Sequence, residues 1–142
     1  MRFRLRLGIA ALLITLCVRS RAAADELVVI VSSASAIAGL TKDQIADIFL
    51  GKLRQLPDGT KVVPIDQPEG SPTRDAFYVQ FTGKSPAQVK AHWSKIIFTG
   101  RGQPPPTAAD AAETKKRVAQ DPRAIAYIQR TLADDSVRML PP

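Results

Sequence analysis

Apolar residues recur along the chain in short blocks, and their period changes from block to block. Leu27 to Val31 (LVVIV) is a continuous apolar, β-branched run, the pattern of a strand buried on both faces. Ile45, Ile48 and Phe49 return at helical spacing. They predict a helix capped by Thr41, with Asp43 in its first turn and Gly51 as its stop. Leu56-Pro57-Asp58-Gly59 reads as a turn with Asp-Gly at its centre, and Lys61 to Asp66 (KVVPID) as a short strand. Pro64 removes a ladder donor, so this strand belongs at an edge or ends early.

Two helices then open in the same way. Ser71-Pro72-Thr73 supplies an N-cap serine with proline at the first helical position, Phe77, Tyr78 and Phe81 give the apolar face, and Gly83 closes the helix. Ser85-Pro86-Ala87-Gln88 is a capping box ahead of the stripe Val89, Trp93, Ile96 and Ile97. Arg101 to Pro106 (RGQPPP) is a stiff, extended connector. Asp110 to Glu113 is another capping box, starting a helix that runs to about Ala119. Ala124 to Ile128 and Ser136 to Leu140 are short strands. The order β α β α α α β, with a last short β, predicts one α/β domain: a small mixed or parallel sheet with about four helices on its faces. No internal repeat is visible.

The first 24 residues depart from this pattern. Met1 to Arg6 is cationic, Leu7 to Val18 is a 12-residue apolar run, and Ala22-Ala23-Ala24 offers the small-x-small pattern that signal peptidase accepts. The run is too short to span a bilayer comfortably. Residues 1–24 are therefore expected to be a signal peptide, cleaved before Asp25, with export to the periplasm; an uncleaved N-terminal anchor is the alternative. Cys17 follows Leu16 where a lipidation site wants a small residue, so a lipoprotein is not expected. This segment also changes the meaning of the charge. The chain carries 20 Lys plus Arg against 13 Asp plus Glu, a formal +7. Arg2, Arg4, Arg6, Arg19 and Arg21 lie in the leader, so residues 25–142 keep 15 bases and 13 acids, a net +2. The near-neutral remainder gives no reason to expect nucleic acid as a partner.

The chemistry of residues 25–142 is narrow. They contain no cysteine, which excludes disulfides, thiolate zinc sites and a Cys nucleophile, and one histidine, so the usual His clusters are lacking and His92, beside Trp93 on a helix, reads as a structural residue rather than a base. No cofactor and no enzymatic activity are expected; Asp43, Asp47, Asp66 and Glu69 read as solvated carboxylates, and Lys115-Lys116-Arg117 as a solvated helix face. The most informative stretch is Asp66 to Arg74 (DQPEGSPTR), where a strand ends, a glycine-containing loop turns and a helix begins. In open α/β sheets, ligands lie beyond strand carboxyl ends beside helix N-termini. Backbone donors there, the hydroxyls of Ser71 and Thr73 and the guanidinium of Arg74 can together hold an oxyanion. The same residues also serve simply to cap and start a helix.

Thr41-Lys42-Asp43-Gln44-Ile45-Ala46-Asp47-Ile48-Phe49-Leu50-Gly51-Lys52 resembles the Leu-Thr-x-x-Gln-(Ile/Leu)-x-x-Ile-Phe-x-Gly-Lys segment of phosphate-type ABC transporter substrate-binding proteins. Matching pieces follow in the same order at Val63 to Ile65, Gly70 to Thr73, Phe77, Trp93 and Ala124 to Ile128. The resemblance implies that residues 25–142 form a single second lobe of a type II periplasmic-binding-protein-like fold, with phosphate or another small oxyanion as ligand and an ABC permease as partner. It places the ligand turn at Gln67, Gly70, Ser71, Thr73 and Arg74. Two positions depart from the family. Its arginine corresponds to Gln67, which removes the bidentate fork, and its middle glycine to Pro72, which has no N–H to donate. A charge-assisted pair contributes about 1.5 to 3 kcal/mol, so its loss weakens phosphate binding by about ten- to a hundredfold. The implied binder is a weak one that completes its cleft with a second copy or a separate lobe. The alternative is an envelope protein-interaction module using the lobe as a scaffold.

Overall fold

The apolar run at Leu27 becomes strand β1 (Leu27–Ser32), all six residues buried, in a computed structural model that describes residues 26–141. The expected signal peptide, residues 1–24, lies outside those residues. The remaining elements follow in the predicted order: α1 (Lys42–Phe49), β2 (Val63–Pro64), α2 (Pro72–Thr82), α3 (Pro86–Phe98), α4 (Ala111–Gln120), β3 (Ala124–Gln129) and β4 (Val137–Met139). A 3₁₀ turn, Arg130–Leu132, separates the last two strands.

The strands form one mixed sheet in the order β2-β3-β1-β4. β1 runs antiparallel to β3 and to β4, with Val29 opposite Tyr127 and Ile30 opposite Met139, while β2 and β3 are parallel. Because side chains alternate across a pleat, the buried central strands serve two cores. Val29, Val31, Ile125 and Tyr127 pack with Ile45, Phe49, Phe77, Val89 and Trp93 of the first three helices. Val28, Ile30, Ala124, Ala126 and Ile128 face Val118 of α4 on the other side.

β2 is shorter than the predicted Lys61 to Asp66. Both ends of that segment find other partners: Lys61 bridges to Gln55 across the Asp-Gly turn, and Asp66 bridges to Thr107. Val63 N–H and Ile65 N–H donate to the carbonyls of Arg123 and Ile125 at 2.9 and 2.8 Å, so Pro64 falls between ladder donors and removes none. The proline-rich connector runs beside the strand's end, where the Pro106 carbonyl accepts from Asp66 N–H at 2.9 Å.

Helix starts follow their capping residues. Thr41 and Ser85 each close a reciprocal box, with Gln44 and Gln88. Asp110 caps α4 by accepting from Glu113 N–H at 2.8 Å, but the Glu113 carboxylate reaches Ala109 N–H at 2.7 Å, so the return bond sits one residue earlier than the expected box. Ile97, assigned to the buried stripe of α3, is 46% exposed. It lies about 80° round the helix from Val89, at the margin of the face that packs.

Candidate functional site

The segment between β2 and α2 is organised by Asp66, which the sequence reading took for a solvated carboxylate and which is buried instead. One carboxylate oxygen accepts from Gln67 N–H at 2.8 Å and from the Tyr127 hydroxyl. The other accepts from the Tyr78 hydroxyl at 2.7 Å and from Arg74 Nε at 3.2 Å. The donors come from the strand end itself, from the first two turns of α2 and from β3, so one charge ties three elements together. Burial is affordable here only because each oxygen has two donors. Burial pushes both tyrosine hydroxyls well above their ordinary pKa, and the adjacent Asp66 charge adds to it. For Arg74, burial opposes the charge, but Asp66 more than restores it and the pKa is raised.

Aromatic rings hold this cluster rigid. Tyr127 stacks on Phe77 with centroids 3.8 Å apart and planes within 4°, and Phe49 meets both rings edge-on. The Arg74 guanidinium lies over the Tyr78 ring, 4.9 Å from its centroid. Arg74 therefore turns inward, and its charge is neutralised by Asp66 beneath the turn.

Above that base sit the residues that the sequence singled out. Ser71 caps α2, its hydroxyl accepting from Arg74 N–H at 3.4 Å and donating to Gln67 Oε1 at 2.9 Å. Gln67 Nε2 donates in turn to the Tyr127 carbonyl at 3.3 Å. Gly70 makes the turn with φ +88°, a conformation that suits glycine. Thr73 is half-buried beside them. Gln67, Ser71 and Arg74 are thus brought into one connected network, with Gly70 and Thr73 on its open side. Among the described residues, the Thr73 hydroxyl and amide and the Arg74 Nη groups have no hydrogen-bond partner.

The sequence reading missed Asp66, Tyr78 and Tyr127 as parts of this network. A signal existed: the chain has two tyrosines, each within an apolar stretch, and a buried phenol needs a hydrogen-bond acceptor. His92 is half-buried, with Nε2 2.9 Å from the Leu50 carbonyl. Among the described residues no three His, Cys, Asp or Glu side chains gather as metal ligands, and no helix is long and apolar enough to cross a membrane.

No protein-family model and no curated protein matches the sequence. Solved structures do. An ABC-type phosphate transport receptor from Vibrio cholerae matches 80% of this chain and 44% of its own, with a TM-score of 0.63 at 18% identity. A Clostridium perfringens protein assigned as a phosphate ABC transporter substrate-binding protein, with bound phosphate, matches 80% of this chain and 43% of its own, with a TM-score of 0.62 at 26% identity. PstS from Borrelia burgdorferi matches with a TM-score of 0.61 at 16% identity. The chain has the fold of a partial lobe of phosphate ABC transporter substrate-binding proteins, as the motif resemblance implied, and it spans less than half the length of each.

Proposed function

We propose that this protein is a non-enzymatic, exported solute-binding-like module that holds phosphate or a related oxyanion weakly at the Gly70–Arg74 turn. The observation that carries the reading is the position of that turn. It follows a parallel strand, opens a helix of eleven residues and keeps Thr73 and the Arg74 Nη groups available, on the fold of phosphate receptors. The network beneath explains why the affinity is low. Gln67 supplies no charge, Pro72 no N–H, and Asp66 offsets the single guanidinium. A second copy or a separate lobe closes over this wall to complete the cleft, and an ABC permease is the partner that a transport role requires. Export with cleavage near Ala24 puts the module in the periplasm. Native mass spectrometry of the processed protein checks cleavage, stoichiometry and retained anion together; a mass that still includes Met1 to Ala24 contradicts the export reading.

Calorimetric titration with inorganic phosphate tests the binding itself. The expected dissociation constant is about millimolar, and Arg74→Gln weakens it further, by about tenfold. No heat and no thermal shift at any protein concentration would argue against the reading. The engagement of Ser71 with Gln67, and of Arg74 Nε with Asp66, favours a second one, in which the preorganised turn is a protein-contact surface without transport. Crosslinks between Gly70 loops in a concentration-dependent oligomer that takes up no phosphate support that alternative, and a strictly monomeric, uncrosslinked protein counts against it.

A further inference from the structure

A second cationic region shares no residue with the Gly70 turn. The loop after α1 and the end of α3 enclose a cleft of about 310 Å³ lined by Lys52, Arg54, His92, Lys95 and Arg101, with Trp93 and Ile96 as its apolar wall. Its charges are unusual for this chain. Seven ion pairs occur among the described residues, yet only one, Lys52–Asp47 at 3.7 Å, touches the cleft. Arg54, Lys95 and Arg101 have no carboxylate within ion-pair distance among the described residues.

The backbone explains how these cations are held, and why only part of their placement is structural. Gly100 N–H and Arg101 N–H donate to the carbonyls of Ile97 and Ile96 at 3.1 and 3.0 Å, a Schellman closure that folds Arg101 back against α3. The helix dipole favours Lys95 and Arg101 there. It does not account for Arg54, which crosses from another loop. A Cβ on Gly102 would come within 2.9 Å of Arg54 Nη2, so the missing side chain at position 102 lets the guanidinium lie against the connector. The amides of Gly51, Lys52 and Leu53 already bond the carbonyls of Ile48 and Asp47, so recognition falls to the side chains.

We infer that this cleft binds a ligand carrying two or more phosphate groups, held between Lys52 and Arg54 on one wall and Lys95 and Arg101 on the other. Phe98, the last residue of α3 and three positions before Arg101, is 93% exposed, an apolar side chain open to a lipid surface. Pyrophosphate in solution and vesicles of cardiolipin, which carries two phosphates, in phosphatidylcholine separate the two sources. Pyrophosphate is expected to shift the amide signals of residues 51–54 and 92–102 with affinity at least tenfold better than phosphate. Arg54→Gln with Arg101→Gln lowers that affinity at least tenfold, Gly102→Ala lowers it less, and Arg74→Gln leaves it unchanged. Lys52→Gln with Lys95→Gln repeats the test if the arginine pair alters the melting curve. Vesicle binding that needs cardiolipin, is lost in the double variants and is weakened by Phe98→Ala also supports the site and assigns a lipid-borne ligand. Failure to bind either probe, or binding that the double variants leave unchanged, overturns the inference. Failure of phosphate binding at the Gly70 turn leaves it intact.

Discussion

Arg74 and Arg54 carry the same guanidinium in opposite settings. Arg74 is largely buried, paired with Asp66 at 3.2 Å and laid over Tyr78, so its charge belongs to the architecture of the turn. Arg54 is exposed, unpaired among the described residues, and placed with Lys95 and Arg101 around an open cleft. The first arrangement gives rigidity and little residual field; the second gives field and little rigidity. Residues 25–142, with a net charge of +2, therefore combine a rigid turn whose cation is internally compensated with a cationic cleft elsewhere. Which residues are paired is more informative than the net charge.

The largest effect that separates the two regions is on stability. Asp66→Ala leaves two phenols and a guanidinium without their acceptor, and is expected to cost about 3 to 5 kcal/mol in denaturant unfolding. Arg54→Ala is expected to stay within about 0.5 kcal/mol of the parent. Equal effects would erase the distinction. Gly51→Ala ranks next. A Cβ there meets Trp93 Cη2 at 2.8 Å with the backbone at φ +74°, so a loss of about 1 to 3 kcal/mol is expected, read from the same unfolding curves.

Titrations sharpen the comparison with smaller effects. Tyr78 and Tyr127 are the only tyrosines, and both are held above their ordinary pKa by burial and by Asp66. A raised folded pKa means that their contribution is complete below the unfolded value, about 10, and is lost as pH rises beyond it. Phenolate absorbance should therefore appear only together with unfolding. The smallest effect belongs to the surface pair Lys115–Asp134, 2.5 Å apart. Hydrogen bonds from Lys115 and Ser136 hold the Asp134 carboxyl down to about 2. Its contribution is present above the unfolded aspartate value and fades as pH falls through the folded one. A carboxyl carbon signal for Asp134 with a midpoint near 4 would contradict that geometry.

Much of the fold was legible because its signals are local. The cap residues Thr41, Ser71, Ser85 and Asp110, the continuous run at Leu27 and the stop at Gly83 mark boundaries within a few residues of themselves. The short β2 was not legible, because Lys61 and Asp66 are drawn to partners that only the tertiary fold brings near. The positions of Gln67, Gly70, Ser71, Thr73 and Arg74 were readable as a turn. Their electrostatic state was not, since it depends on Tyr127, sixty-one residues from Asp66 in the chain. The cleft escaped notice for the same reason: Arg54 and Arg101 lie 47 residues apart, and neither belongs to a charge run.

The most direct test of oxyanion binding at the turn is a heteronuclear NMR titration of the processed protein with inorganic phosphate. Saturable shifts centred on Gly70, Ser71, Thr73 and Arg74, weak in affinity and reduced in Arg74→Gln, are the expected result. Shifts absent from that turn at saturating phosphate, or unchanged by Arg74→Gln, would contradict the account.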